Sequence, residues 1–175
     1  AWLGCHHIDM VCYLLDDKIV EVSAMLGTQS REPIEVEDTA MLAIRFEGGA
    51  LGSLHAGYHL PGSDAGYTGA SYDSFLALRG TEGYARIPME DESYTLFSQA
   101  PGWAGGGLQQ RSFSPPESKA YGGYGGERFL EDYLQATRTG GLAPAPIQAA
   151  VHVLEVIDAA IESSEIGRAV NIPVI

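Results

Sequence analysis

Only two of the 175 residues are cysteine, Cys5 and Cys12. The pattern around them reads as one helix, so a separation of seven positions becomes about 10.5 Å along the axis, too far for a disulfide. Both are expected as free thiols, and a reducing, cytoplasmic location follows as the expectation. The sequence also lacks any run of about 18 apolar residues, so no membrane span is expected. Basic side chains are scarce: 10 Lys and Arg stand against 23 Asp and Glu, for a formal net charge of −13. Phosphate backbones are held by clustered Lys and Arg, so no nucleic-acid partner is expected. A GxSxG nucleophile elbow is missing as well. The glycine run at 105–107 does not end in the Lys-Ser/Thr pair of a phosphate loop. Gly122 to Gly126 precedes a helix, but no apolar strand leads into it and no acidic residue follows at the expected distance, so this chain is read as having no dinucleotide fold of its own.

What is present is the composition of a globular domain. Hydrophobic residues make up 45% and charged residues 19%, enough apolar material for an ordinary core and too little charge for a disordered tail. The length suits a single domain over residues 1–175. The chain starts at Ala1 and enters a helix almost at once, which reads as the middle of a longer protein.

In order, the apolar run from Met10 to Leu15 continues a first helix, and Asp16-Asp17 breaks it. Ile19 to Leu26 alternates, with Val20, Val22, Ala24 and Leu26 on one side, as a strand with one buried face. Asp38 to Phe46 alternates likewise, with Ala40, Leu42, Ile44 and Phe46 together. Gly48-Gly49 then turns the chain into a strand over Ala50 to His59, which must run antiparallel to its predecessor. A second hairpin joins Tyr72–Arg79 to Tyr84–Ile87 through Gly80-Thr81-Glu82-Gly83, and short strands follow near Tyr94–Phe97 and Gln110–Phe113. Residues 98–126 are a long glycine- and proline-rich connector. Glu127 to Thr139 is amphipathic, with Phe129, Leu130, Tyr133, Leu134 and Thr137 at helical spacing and Gly140-Gly141 as its C-cap. Pro144 and Pro146 open a last helix to about Ser164, with the stripe Ala150, Val153, Leu154, Ile157 and Ile161, and Gly167 closes it. No helices alternate with the strands, so the fold class is α+β: an open, mainly antiparallel sheet with helices on one face.

The chemistry concentrates in Gly4-Cys5-His6-His7-Ile8-Asp9. His6 and Asp9 are three residues apart on one helical face, an imidazole beside a carboxylate that can orient it or bind a substrate hydroxyl. The competing reading is a histidine packing at a helix start. His55 and His59 share a strand face about 13 Å apart, too far for two ligands of one ion, so no metal is expected. His55 instead reads as a site-lining or interface residue. His152 sits with Gln148 and Glu155 opposite the apolar stripe and is expected to be solvated.

With that element order in hand, the chain resembles the C-terminal domain of the Gfo/Idh/MocA oxidoreductases, the glucose-fructose oxidoreductase and inositol dehydrogenase family. The local signatures are GCHHID at 4–9, DTAMLAIRFEGGALGSL at 38–54, LRGTEGYARI at 78–87, FLEDYLQATRTG at 129–140 and IESSEIGRAVNIP at 161–173. The resemblance implies an N-terminal Rossmann domain, absent from this chain, that binds NAD or NADP, while the domain seen here supplies contacts to a sugar, polyol or related hydroxy compound. It further implies that His6 is the catalytic acid/base, with Asp9, His7 and His55 contacting substrate hydroxyls, and that the isolated chain is inactive. The family pattern has an Asp four residues before this His, and Trp2 stands there instead. A Trp exchanges no proton, so the alternative is a ligand-binding or assembly domain without chemistry. Either way an antiparallel sheet with helices on one side leaves its other face needing cover, and a homo-oligomer through that face is expected.

Overall fold

The computed structural model describes residues 4–29, 34–57, 73–88, 92–103 and 107–173. Trp2 and His59 lie outside these residues. The chain forms two compact units, residues 1–59 with 145–175 as unit 1 and residues 60–144 as unit 2.

Unit 1 begins with α1 (Gly4–Leu15). Its end is a Schellman turn: Asp16 takes the left-handed conformation at φ 49°, its N–H donates to the Tyr13 carbonyl, and the Asp17 N–H donates to the Cys12 carbonyl. Asp is among the few residues besides glycine that tolerate this conformation, so the Asp-Asp pair stops the helix with its carbonyls satisfied. The Asp17 carboxylate then accepts N–H groups from Lys18 and Gly48, tying the helix exit to the next hairpin.

Strands β1 (Ile19–Gly27), β2 (Thr39–Phe46) and β3 (Leu51–Gly57) are antiparallel neighbours, and β8 (Val170–Asn171) pairs with the far side of β1 to complete the sheet order β3-β2-β1-β8. Alternation works as the sequence implies on β2, where Leu42, Ile44 and Phe46 are buried. On β1 a register irregularity between Ile19 and Glu21 shifts the phase. Ile19, fully enclosed, takes the inward place expected of Val20, while Val22 and Ala24 keep theirs. Such a bulge turns the side chains on either side of it onto one face. Gly52 opposes Ile44 in the register, and a Cβ there would come within 3.0 Å of the Ile44 side chain, so the glycine makes room for it.

Helix α3 (Ile147–Ile166) covers β1, and α1 packs on α3 and β3. The core joins Ile8, Ile19, Val22, Phe46, Val156 and Ile172 with smaller neighbours. Complete burial of side chains such as Phe46 and Val156 contributes about 1.5–3 kcal/mol each.

The buried face of α3 corrects the sequence reading. His152, Val153, Val156, Ala159, Ala160 and Ser163 face inward, whereas Ala150, Leu154 and Ile161 are exposed. His152 is 7% exposed rather than solvated. The reason lies in β1, whose short partner β8 pairs only with Glu21 and Val22. Backbone N–H groups beyond that pairing need acceptors, and α3 supplies them from side chains. The Ile19 N–H donates to His152 Nε2 at 3.1 Å, the Ala24 N–H to Ser163 Oγ at 2.9 Å and the Leu26 N–H to Ser164 Oγ at 3.0 Å. The helix is thereby rotated so that polar side chains face the strand edge.

Unit 2 is a four-stranded antiparallel meander, β4 (Phe75–Gly80), β5 (Gly83–Pro88), β6 (Ser93–Ser98) and β7 (Gly107–Ser112), in the order β4-β5-β6-β7. Helix α2 (Gly123–Thr139) belongs to the same unit and ends at Gly140, in the left-handed conformation that its C-cap role requires. Its stripe Phe129, Leu130, Tyr133 and Leu134 stays 44–56% exposed. The α+β class and antiparallel strands are thus as read from sequence, with the strands divided between two sheets among the described residues.

Candidate functional site

His6 and Asp9 lie on adjacent turns of α1, and helical spacing puts both on one face. That face borders a groove of about 300 Å³ between α1 and the first turns of α3. Its α1 wall is Cys5, His6 and Asp9; its α3 wall is Ala145, Pro146, Ala149, Ala150, Val153 and Leu154. Small side chains on the α3 side leave the space open, and they are the PAPIQAA stretch that starts the helix. His6 and Asp9 are both exposed, while Ile8 on the other side of α1 is buried and anchors the helix to the core. Pro146 caps α3 without a side-chain acceptor for the first N–H groups. The positive end of that helix therefore opens on the same groove, an environment that favours an oxygen-rich ligand. Proton exchange at an imidazole, acceptance of a hydroxyl by a carboxylate and an apolar floor are what this arrangement offers chemically.

His7 is half-buried on the flank of α1. His55 is elsewhere. Gly4 lies over Ala56, with a Cβ there 3.6 Å from Ala56 Cβ, so α1 covers the face of β3 that carries Leu54 and Ala56. Strand alternation puts the exposed His55 on the opposite face. There it forms a cross-strand row with Met41 and Met25, beside the rows Ser53–Ala43–Ser23 and Leu51–Arg45–Glu21. Met25, Met41 and Leu51 are 76%, 53% and 71% exposed, so this outer face is open and partly apolar. The structure thus brings His6 and Asp9 together and separates His55 from them.

Both cysteines are free. Burial pushes the Cys12 thiol up to about 11 from 9.0; a backbone hydrogen bond from Ile19 opposes this, and the charges of Asp9 and Asp17 add to it. That shift favours the protonated thiol at neutral pH, and Cys12 packs half-buried against the core.

Among the described residues no group of three or more His, Cys, Asp or Glu is placed to hold a metal, and no helix is long and apolar enough to cross a membrane. The glycine run at 122–126 opens α2. The preceding strand, β7, ends at Ser112, so no strand runs directly into the turn. A Cβ on Gly126 would collide with the Tyr121 carbonyl, so that glycine serves the chain's own turn. The groove wall contributed by α3 was not legible beforehand, since it lies about 140 positions along the chain from His6. The run of small residues after Pro144 was its only signal.

Residues 1–86 match the sequence model of the GFO/IDH/MocA C-terminal domain. No curated protein matches the chain by sequence. Among solved structures it is similar to an oxidoreductase domain protein from Kribbella flavida, with TM-score 0.78 and 22% identity over 98% of this chain and 49% of that one. It is also similar to levoglucosan dehydrogenase in complex with NADH and levoglucosan, with TM-score 0.76 and 25% identity over 99% and 50%. An oxidoreductase from Agrobacterium radiobacter, in complex with NAD+, L-tartaric acid and magnesium, gives TM-score 0.75 and 19% identity over 97% and 48%. The chain spans about half the length of each of these structures.

Proposed function

We propose that this chain, whose residues 1–86 match the GFO/IDH/MocA C-terminal domain model and whose fold is similar to levoglucosan dehydrogenase, is the substrate-binding half of an NAD(P)-dependent enzyme acting on a sugar, polyol or related hydroxy compound. The observation that carries this reading is the groove in which His6 and Asp9 face an apolar wall and an uncapped helix start. In the proposal His6 moves the proton of the reacting hydroxyl, and Asp9 and His7 hold neighbouring hydroxyls. The nucleotide, NAD or NADP, is held by a Rossmann half outside this chain and supplies the hydride exchange when bound. Without that half the isolated chain is inactive. The outer face of β1-β2-β3, with Met25, Met41 and His55, suits a homo-oligomer of a cytoplasmic protein. We assign His55 to that interface, or to a hydroxyl presented at that face, rather than to the groove.

Trp2 favours a second reading. It occupies the position where the family pattern carries an acid, so a binding or assembly domain without chemistry is the alternative. An NADH fluorescence titration of the polypeptide extended upstream of Ala1, beside this chain as control, separates the two. Binding by the longer protein alone, with turnover of a sugar or polyol, supports the enzyme. Absence of NADH binding in both sinks it. In the active protein His6→Ala lowers turnover by about a hundredfold or more if His6 transfers the proton; unchanged turnover removes it from the mechanism. Light scattering that finds a monomer at high concentration counts against the oligomer.

A further inference from the structure

The amide of Ile19, at the start of β1, is held from two sides. Its N–H donates to His152 Nε2 on α3 at 3.1 Å and also to the Cys12 sulfur on α1. Ile19 is fully enclosed, so its N–H depends on these protein acceptors. One donor is thus shared between two acceptors. Those acceptors belong to the two helices that wall the His6 groove.

Spacing along each helix leads from the groove to this amide. On α1, Cys5, Asp9 and Cys12 recur at intervals of four and three, so Cys12 continues the stripe that carries the groove residues. On α3, Ala149 stands three positions before His152 and Val153 directly follows it, both of them groove residues. Moving the walls apart would break one of the two bonds to Ile19. The α1 side is fixed further, because the Cys12 carbonyl accepts the Asp17 N–H that closes the helix. A thiol sulfur is the weaker acceptor, which leaves His152 the larger share of the grip. That grip demands one form of the ring, with Nε2 bare and the proton on Nδ1, toward Glu155 Oε2 at 3.4 Å. Taking the groove as the substrate site proposed above, we propose that His152 is a positioning residue for His6: together with Cys12 it clamps the Ile19 amide and so sets the spacing between His6 and the α3 wall.

The test compares backbone amide NMR spectra of the full chain with those of His152→Ala, His152→Gln and Ile44→Ala, the last a core truncation on β2 away from the clamp. His152→Ala is expected to move the amides of Cys5, His6 and Asp9 across the groove. His152→Gln keeps an acceptor and should return them toward wild type, and Ile44→Ala should leave them in place. Should His152→Ala fail to fold, Cys12→Ala carries the test in the reverse direction and must move the amides of Ala149 and Ala150. Unmoved amides across the groove, or equal movement in Ile44→Ala, would overturn the clamp. So would a His152 ring with its proton on Nε2 in long-range proton–nitrogen spectra. In the longer NADH-dependent protein, His152→Ala should lower kcat about tenfold with a smaller change in KM, short of the hundredfold that a misplacement of about 1 Å can cost. His152→Gln should restore most of that loss, and unchanged kcat in folded His152→Ala would overturn the positioning role. A longer protein without any turnover would sink the enzyme reading instead, and the amide shifts would still decide the clamp.

Discussion

Replacing His152 by Ala tests how unit 1 is held together. The imidazole is 7% exposed and accepts the Ile19 N–H at 3.1 Å, and Ile19 itself is fully enclosed. With Nε2 accepting, the ring proton resides on Nδ1, which faces Glu155 Oε2 at 3.4 Å. Truncation leaves the buried Ile19 N–H with only the weaker Cys12 sulfur as acceptor, which costs toward the low end of about 1–3 kcal/mol. It also opens a ring-sized space between α3 and β1, and cavity formation at a tightly packed site brings the total to about 3–4 kcal/mol. His152→Gln places an amide oxygen near the former Nε2 and should recover about half of the loss by restoring the acceptor. Urea unfolding monitored by circular dichroism gives both values from the midpoint shifts at constant slope. A loss below about 0.5 kcal/mol for His152→Ala, the scale of an ordinary surface substitution, would refute the argument that this side chain terminates the strand edge.

Two further perturbations probe the same region. Ser163, 1% exposed, accepts from the Ala24 N–H and donates to the Arg168 carbonyl at 2.7 Å, so Ser163→Ala should cost about 2–4 kcal/mol for two orphaned groups. Amide exchange of Ala24 should accelerate more than that of Val22, and equal protection at both would show that Ser163 does not guard the edge. The folded-state pKa of Cys12, about 11, exceeds its ordinary 9.0. The folded chain therefore binds that proton more tightly than the unfolded chain; the resulting stabilisation is complete below about pH 9 and is lost as the pH climbs through 11. Iodoacetamide labelling of Cys12, read by mass spectrometry, should stay slow through pH 9 and rise toward 11. A half-maximal rate at or below pH 9 would contradict the burial argument.

Signals that act between near neighbours are legible in the sequence. Alternation on β2, the Gly48-Gly49 turn and the glycine ends of α2 and α3 depend on neighbours a few positions away, and they appear as expected. His152 and Ser163 were not legible, because their partners Ile19 and Ala24 lie 133 and 139 positions distant. Helical periodicity places a histidine next to a glutamate on the polar side, and only an unpaired strand edge can draw it inward. The bulge in β1 has no mark in IVEVSAMLG, so the inward role of Ile19 went unseen. For the candidate site, His6 and Asp9 follow from helix geometry alone. The apolar wall opposite them is a product of tertiary folding.

The discontinuity of unit 1 has a consequence for biosynthesis. Strand β1 is made before unit 2, yet the acceptors for its open edge reside on α3, beyond all 85 residues of the 60–144 segment. Throughout that interval a nascent chain presents the N–H groups of Ala24 and Leu26 unguarded, the kind of strand edge on which aggregation starts. Thermodynamically the intervening segment matters little, because each doubling of a connection costs only about 0.6 kcal/mol in closure entropy. Its burden is kinetic: of these two units the one that is begun first is completed last, and a chain truncated before α3 would leave that edge open.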